Sequence, residues 1–299
     1  MILVQYLPAL LSVFQLSVME IVSTVRDLTN FVEAVKKQNQ TIGFVPTMGA
    51  LHKGHLSLVN EAGKQSDVVI VSIFVNPTQF NNADDLKNYP RTLENDARLL
   101  SQTNCNLIFA PSVAEIYPEK DVRQFNFGSL EQVMEGKYRP GHFNGVAQVV
   151  SRLFDLVKPD KAFFGAKDFQ QLAIVRKMSS ELRPELQIVA CPIIREADGL
   201  AMSSRNTLLS EDMRKKSPVI AHTLFESIKF VAQKSVDEVI AFVIGEINRV
   251  EGLEVEYFDI VDSTTLQPVK SWDKADSITG CIAVYAGEIR LIDNVTYKP

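Results

Sequence analysis

The eight residues Val68 to Val75, VVIVSIFV, constrain the fold more than any other segment of the chain. Only Ser72 interrupts the apolar run, and most of its members are β-branched. A strand with one face in water alternates apolar and polar side chains. A run that is apolar almost throughout suits a strand covered on both faces, as in a parallel sheet flanked by helices. The neighbouring pattern agrees. Thr41 to Val45 reads as a short strand bounded by Pro46, and Gly54 to Gln65 as a helix with Leu56, Val59 and Ala62 at helical spacing. Helices are expected at Thr92–Gln102, Gly145–Val157 and Lys167–Leu182, and strands at Leu107–Phe109, Lys161–Phe164 and Gln187–Cys191. This alternation predicts an α/β domain with a doubly wound parallel sheet over residues 19–192.

Beyond a linker near Pro192 to Asp198 the pattern changes. Glu211–Gln233 and Val236–Val250 read as helices. Glu254–Asp262, Ser277–Ala286 and Glu288–Asp293 read as strands, the last two joined by a tight turn at Ala286-Gly287. Residues 193–299 are therefore expected to form a smaller α+β domain. A chain of 299 residues, 46% of them hydrophobic, has enough apolar sequence for two such units. The net charge of −5 argues against a partner held by its phosphate backbone, so no nucleic acid is expected. Cys105, Cys191 and Cys281 are scattered and odd in number, which speaks against a disulfide framework and for a reducing cytoplasm. Met1 to Val18 is uncharged and nearly all apolar. As a helix it would span roughly 27 Å, slightly short of a bilayer core. It lacks the positive start and cleavage site of a signal peptide. Met19 is the expected start, with residues 1–18 a start-site artefact or an unstructured apolar extension. A membrane anchor or a packed extension is the alternative.

The chemistry is concentrated in Pro46-Thr47-Met48-Gly49-Ala50-Leu51-His52-Lys53-Gly54-His55, where the first readable strand hands over to a helix. Ligands of open α/β sheets bind at the carboxyl ends of strands, and a helix N-terminus suits phosphate. Gly49 and Gly54 let backbone approach a nucleotide closely. His52 and His55, three apart, would present two N–H donors from one helical turn to a triphosphate. A zinc site would need further ligands, and no HExxH or third ligand lies nearby. The stretch is neither a GxxxxGK[ST] loop nor GxGxxG. A second polar segment, Met202-Ser203-Ser204-Arg205-Asn206 after Gly199, offers hydroxyl and guanidinium donors for phosphate oxygens.

HxGH after a strand, paired with such a loop, resembles the Rossmann-like nucleotidyltransferase superfamily. The segments PTMGALHKGHLSLV, FVNPTQF, YPRT, GHFNGV, FFGAKDFQQ and GLAMSSRN, in this order, resemble the AMP-forming pantoate–β-alanine ligases. The resemblance runs from about Met19 to the C-terminus, strongest over residues 43–210, and leaves the first eighteen without a counterpart. It implies ATP-dependent joining of pantoate to β-alanine through a pantoyl adenylate, with AMP and pyrophosphate released. It implies that His52, His55, Lys167, Ser203, Ser204 and Arg205 are catalytic. Met48, Gly54, Gly165, Asp168, Ile194 and Met202 would join them around ATP. For Asp168, a ribose contact and a charge that merely stabilises its helix both stay open. Gln79 and Gln171 would bind pantoate, and Phe80 would help keep the pocket dry. Mg²⁺ is expected with ATP, with Asp96 the candidate ligand. His142, in Arg139-Pro140-Gly141-His142, either covers the site or is an exposed loop histidine. A homodimer is implied, with VVIVSIFV and the loop after it as interface material. Another adenylyl or cytidylyl transferase would lack the paired glutamines, and a catalytically silent relative would have lost His52, His55, Lys167 or Arg205.

Overall fold

Val68, Val69, Ile70 and Val71 are at most 1% exposed, because the strand they form lies inside a sheet covered on both sides. A computed structural model describes residues 19–80 and 83–298 of the chain, so the expectations for residues 1–18 lie outside the described residues. The large domain runs β1 (Glu20–Val22), α1 (Val25–Lys37), β2 (Ile42–Thr47), α2 (Lys53–Gln65), β3 (Val68–Ile73), a 3₁₀ turn (Pro77–Gln79), α3 (Ala83–Asn88) and α4 (Leu93–Leu100). It continues with β4 (Leu107–Phe109), α5 (Val113–Ile116), α6 (Met134–Tyr138), α7 (His142–Val157), β5 (Lys161–Gly165), α8 (Phe169–Leu182) and β6 (Gln187–Cys191). Six strands pair in parallel in the order β1-β4-β3-β2-β5-β6. Alternate residues of β3 enter different cores. Val68 and Ile70 pack with α1, α7 and α8, whereas Val69 and Val71 pack with Val59 and Ala62 of α2 and Leu100 of α4. β3 is thus interior to the sheet.

The connections reverse direction at β2. From β2 the chain winds through β3 to β4 on one side, then crosses to β5 and β6 on the other. β2 pairs with β3 over six residues, but with β5 only at Gly43 and Phe44. Beyond Phe44 the two strands part, and a crevice opens between their carboxyl ends, where open α/β sheets bind ligands. The parting also explains why Pro46 does not end β2. The Ile42 carbonyl accepts from Asp160 on the β5 side, and the Thr41 and Thr47 carbonyls accept from Val68 and Phe74 on the other. By alternation, the N–H that Pro46 lacks falls on the β5 side, past the last pair, and no ladder bond is lost.

The rest of the chain holds a 3₁₀ turn (Ser204–Leu208), α9 (Glu211–Lys216), α10 (Pro218–Ile228), α11 (Val236–Asn248) and an antiparallel sheet of β7 (Leu253–Asp262), β8 (Ile278–Ala286) and β9 (Ile289–Lys298). The single helix expected over Glu211–Gln233 is broken, because Pro218 starts a new helix at its own first turn. One face of the sheet packs on α10 and α11. The other puts Tyr257, Val261, Cys281 and Ala283 against Met134 and Phe169 of the large domain. All three cysteines are free and buried. Among the described residues no helix is long and apolar enough to cross a membrane.

Close packing of α7 on the 3₁₀ turn at Pro77–Gln79 needs Gly145, where an added Cβ would lie 2.3 Å from the Thr78 carbonyl oxygen. Backbone cannot swing aside as a side chain can. Gly145→Ala should therefore destabilise the protein by about 1–3 kcal/mol and lower its melting temperature by several degrees, despite the better helix propensity of alanine. A thermal unfolding scan showing an unchanged or raised melting temperature would contradict this packing.

Candidate active site

The crevice between β2 and β5 encloses a cavity of about 230 Å³. Its wall includes Met48, His52, Gly54, His55, Gln79, Gly165, Lys167, Asp168, Gln171, Ile194, Met202, Ser203, Ser204 and Arg205. Of the site residues expected from the sequence, Asp96 and Phe80 are not on this wall; Phe80 packs edge-on against Tyr89, which is. The wall also carries residues that the sequence did not single out: Asn76, Tyr89, and Val146, Val149, Val150 and Leu153 of α7.

His52 is the N-cap of α2, and its Nδ1 accepts the Gly54 N–H at 3.1 Å. His55, one turn on, accepts the His52 N–H at Nδ1, at 3.4 Å. Backbone donors thus occupy Nδ1 of both rings. The one proton of each neutral imidazole is then on Nε2, free to be donated to a ligand. Burial, then the Lys167 cation, lowers His52 to about 4, with Asp168 opposing. Burial, then His52 and Lys167, lowers His55 to about 3. The ring centroids lie 4.1 Å apart, so one charged imidazolium would disfavour a second. Gly54 is required by the cap itself, since a Cβ there would meet the His52 ring at 2.8 Å.

The loop ahead of α2 bends through Gly49 (φ +85°) and Ala50 (φ +50°). Its anchor is Asp96. The carboxylate is fully buried and accepts from the N–H groups of Ala50 (3.0 Å) and Leu51 (2.8 Å) and from the Thr92 hydroxyl (3.2 Å). Both carboxylate oxygens hold the loop, and the group does not line the cavity. Among the described residues no three His, Cys, Asp or Glu side chains converge on a cation site. Asp168 is the N-cap residue of α8, makes no side-chain capping bond, and lines the cavity.

Gln79 is aimed by two neighbours. Its Oε1 accepts from Asn76 Nδ2 (3.1 Å), and its Nε2 approaches the Met48 sulfur (3.1 Å). Asn76 is 1% exposed, donates also to the Gly145 carbonyl, and accepts from the Tyr117 hydroxyl at 2.9 Å. The small sheet supplies a further pair. Asn294 donates through Nδ2 to the carbonyls of Ala166 (2.9 Å) and Lys167 (3.0 Å), fixing the β5–α8 loop. Asp293 takes both arms of Arg195 (2.7 and 2.9 Å), at the base of the hairpin that leads to Ser203. Ser203 caps the 3₁₀ turn at Ser204–Leu208, and the Ser204 hydroxyl donates to the Ala50 carbonyl at 3.0 Å, tying that turn to the HxGH loop. Asp293 and Asn294 were legible only as polar residues at the end of an apolar strand. β9 was therefore expected to stop at Asp293, whereas it runs on to Lys298.

His142 is not an exposed loop residue. It is 6% exposed and begins α7, and burial with the Arg139 cation lowers it to about 4. His52, His55 and His142 all bind a proton more weakly folded than unfolded, where the usual value is near 6.5. The unfolded chain therefore takes up protons first as pH falls. Their contribution to stability is full above about pH 6.5 and declines from there toward about 4. Chemical denaturation should show a midpoint that drops between about pH 7.5 and about pH 5. His142→Asn should reduce that slope by up to about 1.4 kcal/mol per pH unit, and an unaltered slope would count against a neutral His142.

Known proteins with this geometry are consistent in kind. The family model described as "Pantoate-beta-alanine ligase" matches residues 20–296. Pantothenate synthetases of Bacteroides fragilis and Porphyromonas gingivalis are each 52% identical over 94% of this chain, covering 99% and 100% of their own length. The crystal structure of pantothenate synthetase from Thermus thermophilus superposes with a TM-score of 0.88 at 43% identity, over 94% of this chain and 100% of that one. The Francisella tularensis pantoate-beta-alanine ligase, solved in complex with beta-gamma ATP and β-alanine, superposes with a TM-score of 0.78 at 33% identity, over 94% and 98% of the two chains. The chain belongs to the pantoate–β-alanine ligase family.

Proposed function

We propose that this enzyme condenses pantoate with β-alanine at the expense of ATP, through a pantoyl adenylate held in the β2–β5 crevice. The observation that carries the reading is the pairing, in one cavity, of two neutral histidine donors with two glutamines. The pantoate carboxylate attacks the α-phosphorus of ATP, and pyrophosphate leaves. The amine of β-alanine then attacks the acyl carbon of the mixed anhydride, and AMP leaves. Neither step needs a protein nucleophile. The enzyme positions reactants and neutralises charge in a cavity shielded from water. His52 and His55 donate Nε2–H to phosphate oxygens, and Lys167 and Arg205 add positive charge. Met48, Gly54, Gly165, Asp168, Ile194, Met202, Ser203 and Ser204 complete the ATP wall. Gln79 and Gln171 can each donate and accept, which suits the carboxylate and two hydroxyls of pantoate. The apolar side chains of α7 suit its two methyl groups.

Mg²⁺ enters as part of the substrate, on the triphosphate. Magnesium commonly keeps several waters and takes few protein ligands, which fits a cavity wall with Asp168 as its carboxylate. Residues 193–299 act as the smaller, lid-like domain, contributing the Ser203–Arg205 loop. The working form is a homodimer in the cytoplasm, without nucleic-acid or membrane partners.

Purified protein given Mg·ATP and pantoate should release pyrophosphate, and should form pantothenate and AMP only once β-alanine is added. No pantoate-dependent release from folded protein would reject the reading. Loss of one donor aimed at developing phosphoryl charge costs about 2.7–4 kcal/mol, so His55→Ala should lower kcat by about 10²–10³. A His55→Ala enzyme within a few-fold of wild type would remove that imidazole from the chemistry.

A further inference from the structure

A chain of buried and half-buried polar contacts outside the cavity leads from the small sheet to Gln79. At its far end β7 carries a bulge. Val255 and Tyr257 pair with the successive residues Val284 and Ala283 of β8, and Glu256 between them is left out of the ladder. The freed Glu256 carboxylate meets Arg290 of β9 at 2.5 Å. The same guanidinium grips Glu135 of α6 with two bonds, of 2.9 and 2.6 Å. Tyr257 donates to that carboxylate at 2.9 Å. Burial pushes the Glu135 carboxyl up, but Arg290, aided by Arg139 and Tyr257, outweighs it and holds the group at about 2. Glu135 is therefore a permanent anion between the two domains.

Glu135 also holds Arg139, at 3.3 Å, and Arg139 Nη1 lies 3.2 Å from His142 Nε2. A guanidinium has no acceptor, so His142 Nε2 must accept. The ring's one proton is then on Nδ1, which lies 2.9 Å from the backbone carbonyl oxygen of Gln79. His142 thus carries the opposite tautomer to His52 and His55, and its environment dictates it. A second proton on His142 would point at Arg139.

We infer that His142 is a positioning residue for pantoate, holding Gln79 through its backbone carbonyl, and that the Glu135–Arg290 pair makes this grip depend on the seating of the small sheet. This rests on the ligase reading above. His142 is absent from the wall of the main cavity, so its effect passes through Gln79. The consequence belongs to the pantoate end of the site and not to the triphosphate end.

The test uses two conservative variants of the full-length enzyme, with the wild type as control. In His142→Asn the amide N–H stays near the Nδ1 position. In His142→Gln it moves to the Nε2 end and the bond to Gln79 is lost. A hydrogen bond of ordinary net worth predicts that KM for pantoate rises roughly three- to tenfold in His142→Gln, with KM for ATP within about twofold of wild type. His142→Asn should restore most of the pantoate affinity. In a Gln79→Ala background, His142→Gln should cause no further rise, because the positioned side chain is gone. Arg290→Lys keeps the charge, loses the two-pronged grip, and should raise the same constant. Equal rises for both substrates, additive effects with Gln79→Ala, or an Asn variant as impaired as the Gln variant would overturn the role of His142. An unmoved constant in Arg290→Lys would overturn the link to the sheet. A wild type without pantoate-dependent pyrophosphate release would reject the ligase reading itself, and this inference with it.

Discussion

The site exists because β2 and β5 hydrogen-bond at Gly43 and Phe44 and no further. Two strands paired to their ends would leave no room between their carboxyl termini. Here the ladder stops halfway, at the position where the direction of winding reverses. The loops after β2 and β5 diverge to either side of the gap, one bearing His52 and His55, the other Lys167 and Asp168. Proline at position 46 suits this arrangement, because the N–H it lacks faces the gap.

Within the gap, backbone decides the chemistry of the side chains. Both site histidines spend Nδ1 on main-chain N–H groups at the start of α2. This leaves them as neutral Nε2–H donors, and burial beside Lys167 keeps them so. A neutral donor suits a ligand whose charge is already met by cations. The loop geometry that makes this possible rests on Asp96, a carboxylate placed to receive two backbone N–H groups at once.

The small sheet acts through its contacts with the loops around the site. Asp293 and Asn294, adjacent on β9, hold the base of the Ser203 hairpin and the Lys167 loop. Buried polar side chains in mid-strand are costly unless fully bonded; Asp293 is bonded to Arg195, and Asn294 to the carbonyls of Ala166 and Lys167. Arg290, on the same strand, reaches Glu135. A single strand thus connects to both cationic loops and, through α6 and α7, to Gln79.

Sequence alone determined the main alternation of strands and helices beyond residue 40, the two-sided burial of Val68–Val71, the place of HxGH after a strand, and fourteen residues that meet in one cavity, but not β1, α1, α3, α5 or α6. These were legible because burial follows local periodicity, and because the motif segments carry their chemistry in short, contiguous stretches. Only the tertiary structure decided what lies between them. Asp96 read as a metal ligand because a lone acid does not reveal which N–H groups face it. His142 read as either a cover or an exposed loop residue; it is not exposed, and lies buried between Arg139 and Gln79. Asn76, Asp293 and Asn294 looked like ordinary polar residues, since their partners lie up to 128 positions away. Pro218 breaks a helix whose apolar spacing runs through it. Periodicity reports which face of an element is buried. It does not report which distant atom a buried polar group will meet, and those pairings hold this site in shape.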